Sequence, residues 1–214
     1  MNPNPMTAAQ LFALLAKVAL VETPTIHNGK FDKYLDGMSQ MAQIYLEIGF
    51  RGELVSPDVD PLILAAVGYE ESRHRPHGHD GDCTGTGSTR TCHAVGPMQL
   101  ATSTPGVIGR IDPKWQGYDV ERLRDPHTNV EVAYRMLKFW KAQCSGGPAV
   151  WLGAYSAGRC TKRPIPLGKR RCALAGVLSN AAGYTFDACA KVEKDKHIAA
   201  IEKQLAADTA VKEK

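Results

Sequence analysis

Asp60-Pro61-Leu62-Ile63-Leu64-Ala65-Ala66-Val67-Gly68-Tyr69-Glu70-Glu71-Ser72 is the stretch on which the fold turns. Asp60 can accept from the free N–H groups of a first helical turn, and Pro61 at the first helical position gives up a donor that would be unpaired anyway. Leu62 to Tyr69 is apolar on nearly every side, the pattern of a helix buried on all faces at the centre of a domain. Such a helix should not end in two carboxylates, because an uncompensated charge is costly there. Two explanations stand. The glutamates form ion pairs with a cation such as Arg73 or Arg75, or one of them does chemistry that needs a carboxyl in apolar surroundings, where burial favours the protonated form.

Helices are expected on both sides of this segment. Upstream, Phe31, Tyr34, Leu35, Met38, Met41, Tyr45 and Ile48 recur at steps of three and four, giving a core-facing stripe from Phe31 to Phe50. Ala8 to Val21 reads as a further amphipathic helix. Gln10 and Lys17 interrupt it, no basic residue precedes it, and no small-residue cleavage site follows, so a cleavable signal sequence is not expected. Downstream, residues 74–93 are rich in Gly, Thr, His and Asp and read as an irregular loop or small hairpin. Asp125-Pro126 repeats the cap-plus-proline opening, with Val130, Ala133, Tyr134, Leu137 and Trp140 on one face of its helix. A shorter helix from Pro148 to Ala157 stops at Gly158, the residue preferred for a left-handed end. Arg159 to Arg171 carries Arg159, Lys162, Arg163, Lys169, Arg170 and Arg171 with no acid, and reads as a solvated basic loop. From Phe186 onward a charged, Ala-rich helix is expected.

The chain of 214 residues can bury one good core, with 43% hydrophobic and 22% charged residues and a net charge of +4. That charge is too mild to identify a partner. No run reaches the roughly 18 apolar residues of a membrane span. The basic stretch lacks the interleaved aromatics that stack on bases, and no phosphate loop or dinucleotide fingerprint is present, so nucleic acid is not an expected partner. The even cysteine count favours disulfides in an oxidising compartment, though many pairings remain open.

The order Leu64-Ala65-Ala66-Val67-Gly68-Tyr69-Glu70-Glu71-Ser72, then Gly96-Pro97-Met98-Gln99, then Asp125-Pro126 with Asn129, then Ala154-Tyr155-Ser156-Ala157-Gly158 resembles the soluble lytic transglycosylase domain, which shares its core with goose-type lysozyme. The resemblance implies an all-α, lysozyme-like domain that acts on peptidoglycan. It selects Glu71, the glutamate before the serine, as catalytic acid, with Ser72, Met98, Gln99, Tyr155 and Ser156 around the sugar. Pro97 departs from the family's leucine and Ser156 from its asparagine. The implied reaction needs one carboxylate and neither cofactor nor metal.

Residues 73–95 are a longer insert than the family leads one to expect, and they hold His77, His79, Asp80, Asp82, Cys83, Cys92 and His93. Three readings compete: a lobe pinned by a Cys83–Cys92 disulfide, a zinc site from two Cys and two His, or Asp80 or Asp82 as a second carboxylate activating water.

The expected organisation is one structural domain, with N-terminal helices over 1–55, a transglycosylase-like core over 56–185 and a charged C-terminal helix over 186–214. The expected activity is cleavage of peptidoglycan glycan strands by a monomer in the periplasm, outside the cell or on a virion, as part of a phage particle or secretion machine. Alternatives are a goose-type hydrolase on the same scaffold, a wall-binding or virion protein without turnover, and a zinc-dependent interaction module.

Overall fold

The computed structural model describes residues 6–22, 31–51, 61–76, 81–84, 86, 91–101, 120–184 and 187–212. In chain order they form α1 (Ala8–Glu22), α2 (Phe31–Arg51), α3 (Pro61–Ser72), strands β1 (Gly81–Thr84), β2 (Thr91–Val95) and β3 (Leu100–Ala101), and a 3-10 turn (Glu121–Arg124). Then come α4 (Pro126–Gln143), α5 (Pro148–Ala157), α6 (Pro166–Ala181), the short α7 (Asp187–Ala190) and α8 (Lys196–Lys212). The fold is mainly helical, as the resemblance implied. Among the described residues, no helix is long and apolar enough to cross a membrane.

The starts of the helices follow from their side chains. Thr7 and Gln10 cap α1 reciprocally, the Thr7 N–H donating to Gln10 Oε1 at 2.8 Å and the Gln10 N–H to Thr7 Oγ1 at 3.2 Å. Asp125 accepts from the Thr128 N–H at 2.8 Å, with Pro126 at the first helical position of α4. Helix α5 ends at Gly158 in the left-handed conformation, φ 64°.

Helix α3 is the centre: Pro61 to Tyr69 are all buried. Helices α2 and α6 pack against it, α5 packs on α6, and α4 packs on α2 and α5. Met38, Met41, Tyr45 and Ile48 face this core, as the stripe predicted, while the side chains of Phe31 and Tyr34 lie outside the described part. Helices α1 and α8 pack on each other, α1 on α2 and α8 on α6.

Two expectations are corrected. The basic stretch Arg159 to Arg171 is not a loop throughout, since α6 starts at Pro166 and takes in Lys169, Arg170 and Arg171. Residues Cys172 to Ser179 are all buried, and that burial carries the helix through the charged segment. The C-terminal region is not one helix either. Cys189, bonded to Cys172, holds α7 against α6, and Asp195 restarts the chain as α8 by accepting from the Ile198 N–H at 2.9 Å.

Strands β1 and β2 of the insert and β3 beyond it form a small antiparallel sheet in the order β1-β2-β3. Its register sets Cys83 opposite Cys92. The side chains of Asp82, Cys83 and Cys92 lie outside the described part, as do Asp80, His77 and His79 altogether. Disulfides join Cys144 to Cys160, Cα–Cα 5.3 Å, and Cys172 to Cys189, Cα–Cα 5.2 Å. The first encloses all of α5.

Helices α5 and α6 touch through glycines. A Cβ on Gly168 would overlap the Ala149 carbonyl oxygen and fall 2.7 Å from the Gly153 nitrogen. Only a hydrogen at Gly168 allows the backbones so close, whereas a Cβ on Gly153 would meet the Ile165 side chain at 2.8 Å. One turn beyond Gly168, α6 delivers Arg171 beneath α5.

Candidate active site

Glu70 and Glu71 end α3, and their directions differ by about 100°. Each meets a different cation, both from α6. Arg170 Nη2 donates to Glu70 Oε1 at 3.2 Å, and Arg170 Nη1 lies 3.3 Å from Asp195. Arg171 Nη2 donates to Glu71 Oε1. The two pairs differ in access. The Glu70 side chain is 5% exposed under a half-exposed Arg170, whereas the Glu71 side chain is 17% exposed over an Arg171 that is wholly buried. Glu71 is therefore the more exposed of the two carboxylates.

The chain leaves α3 immediately. Arg73 and His74 both have left-handed φ, 57° and 60°. Non-glycine residues adopt this conformation at a cost of about 1–2 kcal/mol each, so the surroundings must hold it. Arg73 Nη1 donates to the Tyr69 carbonyl at 2.6 Å, with its guanidinium 4.5 Å from the Tyr69 ring centroid. His74 is buried, with Nδ1 3.2 Å from the Tyr45 hydroxyl. Burial, and then the charge of Arg73, lower its pKa to about 3.

Gly96-Pro97-Met98-Gln99 forms a turn beside α3, held from α4 by Asn129. This fully buried side chain accepts from the Met98 N–H at 2.8 Å and donates to the carbonyls of Val95 at 3.1 Å and Leu123 at 2.6 Å. Gln99 takes φ 47°, and its Nε2 donates to the Gly96 carbonyl at 2.9 Å. From α5, the Tyr155 hydroxyl donates to the Met98 carbonyl at 2.8 Å. Burial, and then the negative charge of Glu71, push the Tyr155 phenol well above its ordinary value, against the opposing pull of Arg171. Tyr155 therefore stays protonated and ties α5 to the turn.

Arg171 thus joins Glu71 to Ser156, Tyr155 joins α5 to the turn, and the residues expected at the site differ in exposure. Ser156 is exposed and accepts from Arg171 Nη2 at 2.6 Å. Gln99 is half-buried. Ser72 is 4% exposed, its hydroxyl donating back to the Gly68 carbonyl at 3.3 Å, and Met98 is 0% exposed, its N–H and carbonyl taken up by Asn129 and Tyr155. Sequence reasoning missed Arg171. Its signal was an arginine immediately before an apolar run, Cys172 to Leu178, with Pro166 as the helix start. Among the described residues, no group of three or more His, Cys, Asp and Glu could hold a metal ion. His93 is exposed on β2.

The family described as Transglycosylase SLT domain matches residues 50–165, more than half of the chain. Comparison with curated proteins and with solved structures gave no match. The chain belongs to the transglycosylase SLT family, within the lysozyme-like superfamily, and the family's action is on the glycan strands of peptidoglycan.

Proposed function

We propose that this protein is a lytic transglycosylase that cleaves the β-1,4 bond between N-acetylmuramic acid and N-acetylglucosamine, with Glu71 as acid and then base. The observation that carries the reading is the position of Glu71. It ends a helix buried from Pro61 to Tyr69, keeps partial access to solvent, and shares Arg171 with Ser156, while Tyr155 beside it bonds the turn Gly96-Pro97-Met98-Gln99.

In the first step Glu71 gives its proton to the bridging oxygen. The bond from that oxygen to muramic C1 breaks, and N-acetylglucosamine leaves with a new 4-hydroxyl. Positive charge gathering on the muramic ring is eased by its own acetamido oxygen. In the second step the Glu71 carboxylate takes the proton of the muramic 6-hydroxyl, whose oxygen closes on C1. The acid is regenerated and no water is consumed. Tyr155 and Asn129 contribute by fixing the turn that carries Gln99.

Asp80 and the side chain of Asp82, on which the hydrolytic alternative rests, lie outside the described part. The disulfides Cys144–Cys160 and Cys172–Cys189 support an oxidising site of action, in the periplasm, outside the cell or on a virion.

Mass spectrometry of a wall digest tests the reading. Muropeptides ending in 1,6-anhydro-muramic acid, one water lighter than reducing ends, are the expected products. Glu71→Gln should lose about 10²–10⁴ in rate with the fold intact. Mainly reducing ends, with activity lost in Asp80→Asn or Asp82→Asn, would assign a hydrolase. Wall binding with no released fragments from the wild-type chain would assign a protein without turnover.

A further inference from the structure

Arg171 occupies a position where an arginine needs a reason. It is 0% exposed, and the eight residues after it on α6 are all buried, most of them apolar. A well-packed apolar side chain usually serves stability as well as or better than a buried charge. The guanidinium is nonetheless engaged on several sides. Nη1 donates to the Leu152 carbonyl at 2.7 Å, and Nη2 reaches both Glu71 Oε1 and Ser156 Oγ, the latter at 2.6 Å. The carbon of the guanidinium lies 5.2 Å from the Tyr155 ring centroid. Nε is buried with no hydrogen-bond partner among the described residues, so the side chain gives up one donor to hold this pose.

We propose that Arg171 is a positioning residue for the reaction: one nitrogen holds the Glu71 carboxylate and the Ser156 hydroxyl as a single unit and favours the carboxylate that Glu71 becomes after giving up its proton. The inference rests on Glu71 being the acid. Its geometry comes from the close approach of α6 to α5 at Gly168 and Gly153, which sets Arg171 one turn further along, between the end of α3 and the end of α5. A planar fork can serve several acceptors from fixed directions, whereas an ammonium acts as a point charge. A guanidinium beside a carboxyl favours the ionised form, which is the form that takes the proton of the 6-hydroxyl in the second step.

The experiment compares full-length wild type, Arg171→Lys and Arg171→Met on soluble peptidoglycan strands, with kcat and KM measured across pH and thermal unfolding followed in parallel. Arg171→Lys keeps the charge and loses the fork. Its kcat should fall by roughly 100-fold, the scale of a misplaced catalytic group, with KM little changed and the alkaline fall of activity where the wild type has it. Arg171→Met should lose at least as much kcat, and its alkaline fall should move to higher pH, because the charge favouring ionised Glu71 is gone. Should Arg171→Met not fold, the lysine variant decides alone. A folded Arg171→Lys with wild-type kcat, or a folded Arg171→Met with an unmoved alkaline fall, overturns the proposal. Wild-type turnover in Glu71→Gln would overturn the functional reading itself. An inactive Glu71→Gln beside unaltered Arg171 variants would overturn the positioning role only.

Discussion

Gly168 of α6 lies so close to Gly153 of α5 that a methyl group on Gly168 would stand 2.7 Å from the Gly153 nitrogen and 2.8 Å from its Cα. Those are backbone atoms of a packed helix and cannot swing aside. Gly168→Ala should therefore part α5 from α6, costing about 1–3 kcal/mol as overpacking usually does. It should also lower kcat, because Arg171 and Ser156 sit on the two helices that separate. Thermal unfolding and turnover, measured on the same preparation, check both halves. Stability falling while kcat holds would mean that the site tolerates a wider crossing.

Glu70 lies beside the acid in sequence and does separate work. Glu70→Gln should retain turnover within a few-fold of wild type. The pair with Arg170 is buried on one side only, since Arg170 is 35% exposed and also meets Asp195. Stability should therefore fall by about 1–2 kcal/mol, less than for a fully buried pair. Activity of Glu70→Gln and Glu71→Gln, compared on wall suspensions, is the measurement. A dead Glu70→Gln beside a lytic Glu71→Gln would move the acid by one residue.

The cysteines should be found as Cys144–Cys160 and Cys172–Cys189 by peptide mapping under non-reducing conditions. The register of β1 and β2 predicts Cys83–Cys92 as the third bond. Replacing Cys144 and Cys160 together by Ser should cost about 3 kcal/mol, the scale for a loop of this length. Equilibrium unfolding of the double variant checks the figure.

His74 should make the fold acid-sensitive. Its pKa is about 3 in the folded chain against 6.5 for the free side chain, chiefly because burial disfavours the cation. Below about 6.5 the unfolded chain takes up a proton that the folded one refuses until about 3. The contribution is thus intact above 6.5 and is lost as pH falls toward 3. Tyr45, Tyr69 and Arg73 surround the ring and offer it no carboxylate. His74→Asn tolerates the left-handed backbone and should unfold with a shallower dependence of Tm on pH between 6.5 and 4. Parallel slopes for variant and wild type would refute the assignment.

Much of this architecture was legible from residue patterns. The apolar run of α3, the Asp125-Pro126 start of α4 and the Gly158 end of α5 all rest on local chemistry, which a sequence displays directly. Arg171 joins Glu71 to Ser156, and the Tyr155 hydroxyl bonds the turn that carries Gln99. What escaped was long-range. The ion-pair partners of Glu70 and Glu71 lie 100 residues away, and although the apolar run after Arg171 marks it as a helix residue, no local rule pairs Arg170 and Arg171 with those two acids. Pro164 and Pro166 made the segment look like a loop, although Pro166 is the first residue of α6. The exposures of Ser72 and Met98 were also invisible, because they depend on how α2, α5 and α6 close over them.

Consecutive acids on α3 facing consecutive arginines on α6 amount to a vernier between two helices. Were α6 to settle one residue out of step, its side chains would turn by about 100° and a buried guanidinium would be left unmatched. The misfit is far costlier than an apolar slip, in which one aliphatic side chain replaces another. A chain that tries several alignments while compacting therefore has a discriminating signal for the right one, and it sits where the carboxylate must end up. The charges around Glu71 would in this way also reject misassembled forms of the site.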